Sequence, residues 1–135
     1  MKRLLIVLIV LTIKSVLLAA DDPEKIKTGN GFLELCSAVE KIGASEISNS
    51  DLANIGVCTG YMMGLKDGLR LANASAVMEH VTTRKIHFCP ADDVTVGQEV
   101  RVVLKYIRDH PQKDHLHTSI LAAAALEQAF PCTSQ

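Results

Sequence analysis

Val94-Thr95-Val96-Gly97-Gln98-Glu99-Val100-Arg101-Val102-Val103-Leu104-Lys105-Tyr106-Ile107-Arg108-Asp109-His110-Pro111 carries a full set of helix signals in one stretch. Thr95 and Gln98 have the spacing of a capping box, in which each side chain satisfies a backbone N–H that the first turn leaves unbonded. Val96, Val100, Val103, Leu104 and Ile107 recur at 3-and-4 spacing, which places them on one stripe. Pro111 ends the run because its ring cannot continue a helix. This stretch predicts an amphipathic helix buried along its valine-rich side.

The same period recurs three more times. Phe32, Leu35, Cys36, Val39 and Ile42 form a first helix, with Asn30 as N-cap and Gly43 as its stop. A second begins near Ser50-Asp51 and runs to about Ala72, with Leu52, Ile55, Met62, Leu65 and Leu69 as its apolar face. Asp114 caps a fourth, whose apolar side holds Leu116, Ile120, Leu121, Ala124 and Leu126, and Pro131 terminates it. No run alternates as a half-buried strand does, although Val81 to Phe88 can be briefly extended. The fold class expected is all-α: a compact bundle of about four helices.

The chain has 135 residues, enough for one modest core, with 14 Lys+Arg against 15 Asp+Glu. A formal charge of −1 supplies no basic field and disfavours a nucleic-acid partner. Residues 1–20 read as a signal peptide: Met1-Lys2-Arg3, then the apolar run Leu4 to Ile13, then Ala19-Ala20 before Asp21-Asp22. Lys14 makes an uncleaved membrane span costly. The expected product is residues 21–135, one helical domain with 11 basic and 15 acidic residues, soluble in the periplasm and not membrane-bound.

Export bears on the cysteines. Cys36, Cys58, Cys89 and Cys132 are separated by 21, 30 and 42 residues, and no pair has the CxxC spacing of a zinc knuckle or redox site. Four widely spaced Cys in an exported domain read as two structural disulfides. Three connectivities are open. Cys58–Cys89 with Cys36–Cys132 is favoured, on the expectation that the crossover after the second helix returns towards Cys58. Cys36–Cys58 with Cys89–Cys132 is nearly as good.

Gly56, Gly60, Gly64 and Gly68 recur every fourth residue along the second helix. Each costs about 1 kcal/mol relative to alanine, so a close backbone approach is expected along them. Packing inside the fold is the first expectation and a dimer interface the second.

Residues suited to catalysis are few. His110, His115 and His117 cluster near Asp109 and Asp114, but 115 and 117 on one helix would point about 200° apart, so no metal site is expected. Asp92-Asp93 suit a helix start, and no GxSxG, HExxH or phosphate loop is present. No enzyme and no cofactor are expected. Asn73-Ala74-Ser75 matches a glycosylation sequon, which matters only in a eukaryote. Arg101, Lys105 and Arg108 stand i, i+4, i+7 opposite the valine stripe and form a candidate ridge for an acidic partner. The connection Asn73 to His87, with Glu79, His80, Arg84 and Lys85, is a second candidate recognition element.

Cys58-Thr59-Gly60-Tyr61 with Gly64 and Asp67, Phe88-Cys89-Pro90, Val94-Thr95 with Gln98, Tyr106 with His110-Pro111 and His115, and Ala125-Leu126 with Ala129-Phe130-Pro131-Cys132 form one ordered pattern. It resembles the Rap/Tai family of immunity proteins associated with bacterial type VI secretion, over roughly residues 32 to 132. The resemblance implies an exported, helical, disulfide-bonded homodimer. It also implies a partner, a cysteine-type peptidoglycan amidase injected by a neighbouring cell, which the protein binds and sterically blocks. Two other functions fit the composition. A periplasmic acid-stress chaperone or general envelope factor would use the five His and the acidic mature charge as its trigger, and a secreted small-ligand carrier would use Met62, Met63 and Met78 as an adaptable lining.

Overall fold

A computed structural model describes residues 23–78 and 86–132. After a 3-10 turn at Pro23–Lys27 come α1 (Gly29–Cys36), which tightens into a second 3-10 turn at Ser37–Lys41, and α2 (Asn49–Met78). Residues 86–94 lead to α3 (Val96–Asp109), a third 3-10 turn at Pro111–Lys113, and α4 (Thr118–Ala129). No β-strand occurs among the described residues, where Thr28 and His117 form an isolated bridge. The fold is all-α, four helices cross-linked by two disulfides.

The core forms where the stripes meet. α1 contributes Phe32, Leu35 and Cys36, α2 Cys58 and Met62, α3 Val100, Val103, Leu104 and Ile107, and α4 Leu121, Ala122, Ala125 and Leu126. Thr95 Oγ1 accepts the Gln98 N–H, and the Gln98 side chain accepts the Thr95 N–H, completing the expected capping box.

Other helix ends differ from expectation. The N-cap of α1 is Thr28, not Asn30: its Oγ1 accepts the Gly31 N–H at 3.3 Å. The Asn30 N–H instead donates to the Asp114 carbonyl, and the Gly29 N–H to that of Leu116. A Cβ at Gly31 would lie 1.8 Å from the Lys25 carbonyl oxygen, so the start of α1 requires glycine there. His117, not Asp114, caps α4, because the connection ahead of it is already bound to the start of α1. Gly43, at φ +94°, closes the turn after Ile42, as a stop should.

The favoured disulfide pairing is corrected. Cys36 joins Cys58, with Cα atoms 5.5 Å apart, and Cys89 joins Cys132, at 5.0 Å. The physical reason is the length of α2, which runs to Met78 rather than stopping near Ala72. The twenty residues of helix beyond Cys58 carry the chain about 30 Å away from it. The segment after the crossover lies instead along the end of α4. Cys89 N–H donates to the Phe130 carbonyl at 2.8 Å, and His87 N–H to Glu127 Oε1 at 3.2 Å. Asn73 Nδ2 holds its other side through the Ile86 carbonyl, at 2.7 Å.

Candidate partner surface

The ridge on α3 is less cationic than its sequence. Arg108 is held by Glu40 from the second 3-10 turn, Nη1 and Nη2 donating to the two carboxylate oxygens at 2.6 and 2.8 Å. The Arg108 hydrogen bonds hold the Glu40 carboxyl below its ordinary range, and the same bonds push the Arg108 guanidinium up. Lys105 is tied to Asp109 one turn on, at 2.7 Å. Arg101 is exposed and forms no ion pair among the described residues. Three cations and two carboxylates therefore share this surface, and Arg101, whose charge also helps lower the Glu40 carboxyl, is the one that forms no ion pair among the described residues.

Beside the ridge, α3 and α4 enclose a groove of about 270 Å³. Val102, Tyr106, Ala125 and Ala129 give it an apolar lining, and Lys105, Asp109, His110 and Gln128 add polar groups. Tyr106 and His110 stack with centroids 4.2 Å apart. The His110 ring is fixed from its other side, because Nδ1 lies 2.7 Å from the Tyr106 carbonyl, which can only accept. Lys113 Nζ sits 5.6 Å from the Tyr106 centroid and donates to its hydroxyl at 3.3 Å. The histidines do not converge: His110 belongs to this stack, His117 caps α4, and His115 is exposed. Among the described residues no three His, Cys, Asp or Glu gather as a metal site.

Two expectations about packing are corrected on α2. A Cβ placed on Gly56, Gly60, Gly64 or Gly68 would meet nothing within 4 Å, so these glycines do not mediate a close crossing inside the fold. Leu52, expected inside, is 55% exposed, and on α4 Ile120 is 60% exposed. α2 is apolar on two sides, and the side that packs inward carries Ile55, Cys58, Met62 and Leu65. Met62 is buried while Met63 is 56% exposed, so the two do not line a common ligand pocket. The side chain of Met78 lies outside the described residues, as do Glu79, His80, Arg84 and Lys85 of the second candidate element.

One buried contact was not signalled by the sequence. Glu99 is fully buried in the first turn of α3, and Lys66 Nζ of α2 donates to both its oxygens, at 2.7 and 2.9 Å. The partners are 33 residues apart, and nothing local to either marks the pairing.

The features so far define a class: a small helical domain, doubly cross-linked, that presents a charged ridge beside an apolar groove. The family of Rap1a immunity proteins matches residues 28–132, most of the chain, and the chain belongs to that family. No curated protein and no solved structure matches it.

Proposed function

We propose that this protein is exported to the periplasm by residues 1–20, which lie outside the described structure, and there acts as an immunity protein. Its partner is a peptidoglycan amidase of the cysteine type, delivered by type VI secretion, and the protein acts as a homodimer. The observation that carries this reading is the family match over residues 28–132. The mechanism is occupation, not reaction: the protein fills the approach to the amidase cleft and keeps the cell-wall peptide out. Two disulfides suit that task, since a surface fixed before binding loses less conformational freedom on complex formation. Arg101 and the neighbouring groove offer an acidic partner one open cation and an apolar recess.

The test is protection in cells. Directing the amidase to the periplasm should lyse cells, and co-expression of this protein with its leader should restore growth. A copy lacking residues 1–20 should not protect. Equal lysis with and without the exported protein contradicts the reading.

A further inference from the structure

The two disulfides stand in opposite surroundings. Cys36 and Cys58 are 0% exposed, inside the core that all four helices share. Cys89 and Cys132 are both exposed. A disulfide is opened by a thiolate that attacks one of its sulfurs, so the attacking thiol must reach that sulfur. Of the two bonds, Cys89–Cys132 alone meets that condition while the protein is folded.

What the exposed bond holds is otherwise lightly fastened. Residues 86–90 pass between α2 and the end of α4 with space on both sides. A recess of about 110 Å³ lies between this segment and Lys66, Leu69 and Arg70 of α2, and one of about 460 Å³ between Ile86 and Ile120, Ala123 and Ala124 of α4. Among the described residues, the segment is otherwise held by the packing of Phe88 on the core and by three hydrogen bonds. These run from Cys89 N–H to the Phe130 carbonyl, from His87 N–H to Glu127 Oε1, and from Asn73 Nδ2 to the Ile86 carbonyl. Two of the three reach the end of α4, where Gln128 and Ala129 line the partner groove.

We infer that Cys89–Cys132 is a thiol–disulfide exchange site that controls the groove. Its co-reactant is a dithiol of the CxxC class. One thiolate of the dithiol attacks a sulfur of the bond, the S–S link breaks, and a mixed disulfide forms. The second thiol then displaces the protein sulfur and closes the dithiol's own disulfide. The dithiol gives up two electrons and two protons, which end on the thiols of Cys89 and Cys132. Cys36–Cys58 stays closed, the helical core stays folded, and residues 86–90 detach from α4 by local opening. The last turn of α4 then frays and the groove loses a wall. The effect on the amidase rests on the function proposed above; the exchange does not.

The test exposes the oxidised protein to graded dithiothreitol and to reduced thioredoxin, traps thiols with iodoacetamide and maps them by mass spectrometry. Cys89 and Cys132 should be alkylated while Cys36 and Cys58 remain linked and the helical circular dichroism is kept. In this half-reduced protein, and in the Cys89→Ser, Cys132→Ser double variant, the amides at 87 and 89 should exchange with deuterium about tenfold faster. The amidase dissociation constant should rise about tenfold, and reoxidation of the wild type should restore both values. Release of both disulfides together, or of Cys36–Cys58 first, overturns the inference. Selective opening without loss of amidase affinity overturns control of the groove. If the oxidised protein binds no amidase, the proposed function and that control fall together, and the order of reduction still decides the exchange site.

Discussion

Arg108 and Glu40, 68 residues apart in the chain, meet in a two-point ion pair that joins α3 to the turn following α1. The pair engages one of the two guanidinium groups of the α3 ridge within the protomer, which leaves Arg101 as the guanidinium open to the proposed partner. Arg101→Ala should therefore weaken amidase binding several-fold, whereas Arg108→Ala should change it little. Arg108→Ala should instead lower stability by about 0–1 kcal/mol, as for other exposed pairs. Calorimetric titration of both variants checks this, and equal losses of affinity would contradict it.

Asp51 anchors the start of α2, accepting from Lys41 Nζ at 2.7 Å and from the Ser48 hydroxyl at 2.7 Å. The Lys41 hydrogen bond, followed by that of Ser48, lowers its carboxyl from 3.8 to about 2. A carboxyl whose pKa is depressed by folding stabilises above its unfolded pKa and loses that contribution as pH falls through the folded one. Asp51→Asn should thus be less stable than wild type near neutrality, and the difference should shrink between pH 3.8 and about 2. Thermal unfolding of both proteins across that range measures it, and a difference independent of pH would refute it.

Lys66 and Glu99 form the buried ion pair between α2 and α3. Lys66→Met leaves the Glu99 carboxylate buried without its cation and should cost about 3–5 kcal/mol. The double variant Lys66→Met with Glu99→Leu should recover much of that loss, because no buried charge then remains. Urea unfolding of the full cycle gives the coupling. A double variant less stable than Lys66→Met alone would contradict this account.

Each disulfide closes its own loop, with sequence separations of 22 and 43. Peptides of the unreduced protein should be linked Cys36 to Cys58 and Cys89 to Cys132 in mass spectrometry. Replacing either pair by serine should destabilise by about 2–4 kcal/mol, with the longer loop at the upper end.

What was legible in the sequence was what is local. α3 was readable from end to end because its cap, stripe and stop lie within one stretch. The caps of α1 and α4 were misread because the helices begin at Gly29 and Thr118, starts that go with non-local backbone bonds from the Gly29 and Asn30 N–H groups to the Leu116 and Asp114 carbonyls, so Asn30 already lies inside the first turn of α1 and Asp114 lies ahead of α4. Periodicity gave α2 an apolar face, but that helix has two, and spacing alone did not say that Leu52 faces outward while Met62 faces in. The disulfide partners depended on the length of α2, which no stop residue near Ala72 sets. The ridge Arg101, Lys105 and Arg108 was found, but Glu40, which neutralises part of it, is remote in sequence.

The central claim is inhibition by binding. Titrating the oxidised protein into the type VI amidase effector of the cell that makes it, while following peptidoglycan hydrolysis in the same mixtures, tests it most directly. Hydrolysis should fall in proportion to added protein and stop at one protomer per amidase, with tight binding of the same stoichiometry by calorimetry. Undiminished hydrolysis at an excess of folded, disulfide-bonded protein would contradict the account.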